Sequence, residues 1–189
     1  METSIVNLEI DLIIQIVAVG KVQADMLRDL PPRIMESYGS LVENCQVIKT
    51  LSMPSSTYDL ERKQYLADAV LKYVRDKTSP SEQEKVLGIT KEDLYALGLN
   101  FVFGQAQCPG TVAIMSLCRL DPTFYGQKTD RELLLERGTK EAVHELGHTF
   151  GLGHCTNPEC VMSFSNSILD VDRKDSTFCE TCRGRLGLR

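Results

Sequence analysis

The sequence has no long apolar run. Leu12 to Val19 is a short one, and it follows Glu9 and Asp11, not a basic segment, so it is not expected to be a secretory leader or a membrane span. Blocks of like charge are also missing. The net charge is −5, and Arg183, Arg185 and Arg189 make only a short basic tail, so neither a nucleic-acid partner nor a membrane partner is expected. There is no internal repeat and no low-complexity tract, and SPSEQ, Ser79 to Gln83, reads as a surface connection and not as a domain linker. What remains, 189 residues at 42% hydrophobic content, is enough for one compact domain, expected to work as a monomer in the cytoplasm.

Histidine is the scarcest informative residue. The chain has three, and all fall in the run HELGHTFGLGH as His144, His148 and His154. Residues four apart share a helical face, so His144 and His148 point the same way. Continuing the helix would carry His154 roughly 240° around the axis and about 9 Å beyond His148, out of reach of a shared ion. The helix must end first, and Gly151 stands where a left-handed residue would stop it and turn His154 back. Three imidazoles plus a water form the open tetrahedral set of a catalytic zinc. Glu145 lies about 100° around the helix from the first ligand, where it reaches the water as a general base and need not bind the metal.

The cysteines are spaced in pairs. Cys155 and Cys160 flank four residues, Cys179 and Cys182 flank two, a pattern suited to four thiolates around a structural zinc, a second ion in addition to the catalytic one. Two disulfides are the alternative, poorly suited to a reducing compartment. Cys45, Cys108 and Cys118 make the total odd, which weakens a disulfide framework, and they read as buried thiols.

Apolar runs alternate with helical patterns, which predicts an α/β fold with a mostly parallel sheet and crossover helices. Strands are expected at Ile10 to Val19, Gln46 to Thr50 and Val86 to Ile89. Phe101 to Ala106 and Val112 to Leu117 are expected to pair as a hairpin across CPG. A helical region within Val22 to Tyr38 should stop at or before Leu30, with Pro32 opening a new helix. Leu60 to Asp76 reads as an amphipathic helix with Leu66, Ala69, Val70, Tyr73 and Val74 on its core face. The helix carrying the histidines should start at an Asp130 cap and reach Phe150.

HELGHTFGLGH followed by a methionine resembles the metzincin clan of zinc endopeptidases. With HELGHTFGLGHC, CVMSFSNS, VDRK, FCETC and the upstream NFVFGQA, the chain resembles the archaemetzincins over nearly its whole length. The resemblance implies that Met162 lies beneath the zinc ligands without touching the metal. It implies an antiparallel edge strand and a small C-terminal zinc-stabilised subdomain. The single domain, 1–189, then divides near His154 into an upper part, about 1–154, and a lower part, about 155–189, with the cleft between. It further implies that the edge strand, here Phe101 to Ala106, pairs with extended substrate, an ordinary border strand being the alternative. Where some metzincins carry a tyrosine near the metal, this chain has Phe164, which cannot donate to an oxyanion, so a modest rate is expected.

The expected activity is that of a zinc metallopeptidase, in which a zinc-bound water attacks a peptide or protein substrate and Glu145 takes the proton. The alternative is a zinc-stabilised interaction module that cleaves little or nothing. Glu145 favours catalysis, because a purely structural histidine site needs no base there.

Overall fold

The protein is described by a computed structural model over residues 12–188. Strand β1, Ile13–Val19, is paired on both sides by parallel neighbours: β2, Asn44–Leu51, and β5, Glu84–Thr90, which appears further along the chain. Between β1 and β2 runs α1, Ala24–Tyr38. After β2, the short strands β3, Tyr58–Asp59, and β4, Gln64–Leu66, lead into α2, Ala67–Thr78. Beyond β5 come β6, Leu94–Tyr95, β7, Gly104–Ala106, and β8, Val112–Ser116. The chain closes with α3, Arg131–Thr149, α4, Ile168–Arg173, and α5, Glu180–Leu186.

The main sheet has the order β2-β1-β5-β8-β7, parallel except for β7, which runs antiparallel to β8 at one edge. Alternation along the strands divides the core into two layers. Ile14, Ile16, Leu87, Ile89 and Met115 face α1 and α3, whereas Val17, Val19, Val86, Val112 and Ile114 face α2. Each such side chain is fully buried and contributes roughly 1.5–3 kcal/mol by leaving water. The predicted mostly parallel α/β sheet with an antiparallel edge strand is therefore the observed one.

Several local expectations are corrected. Helix α1 runs unbroken through Pro31 and Pro32. Met26, Leu30, Ile34 and Tyr38 recur every fourth residue and are all buried, and the Tyr38 hydroxyl donates to the Val143 carbonyl at 2.9 Å. That stripe outweighs the amide bonds the prolines forgo, which lie on the outer side of the helix. The predicted helix at Leu60 to Asp76 begins only at Ala67. Upstream, the Asp59 carboxylate accepts from the Glu61 and Arg62 amides, each at 3.0 Å, and Lys63 takes a positive φ of 56°. This turn folds β3 onto β4 as part of a small second sheet, β3-β4-β6. The edge strand is shorter than Phe101 to Ala106, and its partner ends at Ser116. Ile10 and Asp11, assigned to the first strand, lie outside the described residues.

Candidate metal centre

Helix α3 starts where predicted. The Asp130 side chain accepts from the Leu133 amide at 3.0 Å, satisfying one of the free N–H groups of the first turn. At the other end Gly151 has φ +87°, and its amide bonds to the His148 carbonyl at 2.8 Å while the Leu152 amide bonds to Gly147 at 3.1 Å. This reversal brings His154 back over the helix. One ligand nitrogen from each of His144, His148 and His154 lies within 4.8 Å of the others.

Two main-chain carbonyls set the imidazole tautomers. His144 Nδ1 lies 2.8 Å from the Val161 carbonyl, and His148 Nδ1 lies 2.7 Å from the Leu152 carbonyl. A carbonyl only accepts, so each Nδ1 carries the proton and each Nε2 keeps its lone pair. The two Nε2 atoms stand 3.1 Å apart, close to the about 3.3 Å that tetrahedral zinc with bonds near 2.05 Å would give. Two neutral lone pairs facing each other at that distance fit a shared cation. Burial holds all three imidazoles below their ordinary pKa, with the Lys174 charge adding to the effect, which favours the neutral, lone-pair-bearing form.

Glu145 is buried under the edge strand. A side chain at Gly104 would lie 2.6 Å from the Glu145 carboxyl, so only glycine permits this approach. Burial, reinforced by the Glu141 carboxylate, pushes Glu145 well above the usual carboxyl range, and Lys174 partly offsets the rise. Met162 is fully buried, and its sulfur packs against α3 at Gly147, where no side chain could be added without displacing it.

The three histidines and Glu145 line a cleft of 630 Å³. Strand β7 forms part of its wall. The Phe103 carbonyl accepts from the Ser116 amide at 2.8 Å and the Gln107 amide donates to the Val112 carbonyl at 3.1 Å, so the alternate residues Gly104 and Ala106 turn their main-chain groups to the free sheet edge. The Val102 amide is already bonded to the Leu94 carbonyl at 2.9 Å. The open edge is therefore confined to Gly104 and Ala106.

The four predicted cysteines also come together, with Cys155, Cys160, Cys179 and Cys182 sulfurs all within 4.8 Å. Cys155 and Cys179 sulfurs are 3.7 Å apart, far longer than a disulfide and close to the about 3.8 Å expected across tetrahedral zinc with 2.3 Å bonds. The Cys182 amide, at the start of α5, draws the Cys179 thiol down to about 7. The Cys155 amide bonds to the Met162 carbonyl at 2.9 Å, so the thiol cluster, the third histidine and the methionine share one stretch of backbone.

Two features were not foreseen. Lys174, fully buried, pairs with buried Glu141 at 2.8 Å, and its Nζ lies 3.4 Å from His144 Nδ1. The string VDRK contains the lysine, but only tertiary packing brings it beside His144. Cys108 is exposed and lines the cleft, contrary to expectation, because it sits in the loop joining β7 to β8, with its sulfur 3.5 Å from the Leu152 carbonyl. Cys45 and Cys118 are held in less accessible positions, and burial pushes their thiols up to about 12 and about 11.

Residues 17–187 match the model of Peptidase family M54. The chain belongs to peptidase family M54. An archaemetzincin of Methanopyrus kandleri is 50% identical over 159 residues, covering 83% of this chain and 86% of that protein. The crystal structure of an archaemetzincin from the same organism superposes with TM-score 0.81 at 43% identity, covering 96% of this chain and 97% of that one. A zinc-dependent peptidase from Methanocorpusculum labreanum superposes with TM-score 0.82 at 32% identity, over 92% and 99% of the two chains. As an M54 member of this kind, the protein is a zinc metallopeptidase and hence a hydrolase acting on peptide or protein substrates. Among the described residues no helix is long and apolar enough to cross a membrane.

Proposed function

We propose that peptide hydrolysis takes place at the three-histidine cleft, with His144, His148 and His154 holding the catalytic zinc and Glu145 serving as general base. Zinc held there supplies a Lewis acid that polarises the scissile carbonyl and makes a nearby water more acidic. Glu145 takes the proton of the attacking water and passes it to the leaving amine nitrogen, without a covalent enzyme intermediate. Gly104 and Ala106 pair with the substrate main chain, adding it as an antiparallel strand to the sheet edge. Ser165, which lines the same cleft, has a buried Oγ with no hydrogen-bond partner, which supports a polar occupant there.

Cys155, Cys160, Cys179 and Cys182 hold a second, structural zinc, giving two ions per chain. The Met162 contact with α3 supports placing the protein in the metzincin clan, with upper and lower parts of the domain meeting near His154. Thiolate coordination suits a reducing compartment, which supports a cytoplasmic location.

The observation that carries this proposal is the pair of carbonyl-fixed tautomers, which aim two lone pairs at one point beside a buried carboxylate. The test is cleavage of a mixed peptide library by zinc-loaded wild type and Glu145→Gln, with metal content measured on both. Loss of cleavage at full zinc occupancy is expected. Equal cleavage by the two proteins would remove Glu145 from the chemistry.

A further inference from the structure

The wall of the cleft is unusual in composition. Among the described residues no Lys or Arg lines it, its only carboxylates are Glu141 and Glu145, and one side is built from the apolar stretch between β6 and β7. Within that stretch Leu97 is 78% exposed and Leu99 47% exposed, with Leu99 lining the cleft and Leu97 just outside it.

This leucine lip is held in place from behind. The Arg62 guanidinium donates to the Leu99 carbonyl at 2.7 Å and to the Asn100 carbonyl at 3.2 Å, and Gln64 donates to the same Asn100 carbonyl at 3.0 Å. Arg119, bonded twice to Asp93 at 2.8 Å, stacks on Phe101 at 4.3 Å. These partners come from the small sheet and the β8–α3 connection. The lip is thus pre-ordered, so that docking on it costs little conformational entropy. Leaving two leucines this exposed on a fixed mount forgoes the burial each would gain in a core.

Strand polarity fixes which part of a substrate meets the lip. β7 runs from Gly104 to Ala106, so an antiparallel substrate strand runs from the Ala106 end toward the Gly104 end. Its C-terminal side then approaches Phe103, Phe101 and Leu99. Main-chain pairing cannot continue in that direction, because the Val102 amide is bonded to Leu94. Side chains must provide any further contact.

We propose that Leu97 and Leu99 form a docking lip for apolar side chains on the C-terminal side of the scissile bond, making the protein selective for substrates with bulky apolar residues downstream of the cut and averse to acidic ones. This rests on the assignment of the cleft and its edge strand made above.

The test uses the zinc-loaded full chain carrying Glu145→Gln, so that binding is measured without turnover. Two fluorescent peptides share the same sequence through the first residue after the scissile bond. One continues with leucine and phenylalanine, the other with serine. Fluorescence anisotropy is expected to give about a tenfold tighter Kd for the apolar peptide, and a third peptide with aspartate there should bind weaker than the serine one. Adding Leu97→Ser should bring the apolar-to-serine ratio close to one. Leu169→Ser, on an exposed leucine of α4, should leave the ratio at ten. A ratio that is near one in the parent, or that survives Leu97→Ser, overturns the docking lip. Failure of the peptidase assignment would show separately, as equal cleavage by wild type and Glu145→Gln.

Discussion

The three-histidine and four-cysteine groups have the same reach, with donor atoms within 4.8 Å in each, but their surroundings differ. The histidines grade from buried His144 through half-buried His148 to exposed His154, and they line a cleft. The four cysteines alternate between half-buried and buried, and none of them lines that cleft. Three donors beside a cleft leave a coordination position for chemistry, whereas four donors close the shell around a fold-stabilising ion. The two groups share backbone, since His154 and Cys155 are consecutive and the Cys155 amide bonds to Met162. Lys174, from the segment between Cys160 and Cys179, reaches back to His144.

The comparison can be broken from either side. The largest effect is expected from Cys182→Ser, which removes a buried thiolate from the closed site. Structural zinc contributes on the order of 10 kcal/mol to folding in small domains, so this variant should lose one zinc and melt its C-terminal segment at low temperature. Two zinc equivalents with an unchanged melting curve would show that the cysteine site is not structural. Next is Glu145→Gln, expected to lower kcat about 10³-fold, roughly 4 kcal/mol, with both ions retained. A melting temperature that falls as steeply as the rate would instead make Glu145 a structural residue.

Lys174→Met strands the Glu141 carboxylate in the interior and should cost about 3 kcal/mol in urea unfolding. Pairing it with Glu141→Gln should recover most of that loss, because a buried ion pair replaced at both ends is close to neutral. Lack of recovery would mean the lysine acts through something besides its partner. The smallest effect is the one that probes the join between the sites. Cys155→Ser should weaken zinc binding at the histidines about tenfold in chelator competition by loosening His154. Unaltered affinity there, with one ion lost from the cysteines, would show that the two centres are independent.

The histidine group was legible because its geometry is mostly local. A four-residue step on one helix, an Asp130 cap and a glycine at the helix end need no tertiary information, and all three stand as expected. The strand–helix alternation was legible for the same reason. The uninterrupted α1 was not, because the local cost of Pro31 and Pro32 is outweighed by a stripe whose value depends on packing against α3. Strands of two or three residues such as β3, β4 and β6 are too short to show a period of two. The Lys174–Glu141 pair joins residues far apart in sequence, and nothing in either neighbourhood signals that a charge will be buried there.

The carbonyls of Leu152 and Val161 have a consequence for how the protein comes into being. Both lie after α3 in the chain, so a nascent polypeptide ending at the helix carries His144 and His148 with freely exchanging tautomers. The arrangement in which both imidazoles turn Nε2 toward one point is completed only when residues through 161 have wrapped back onto the helix.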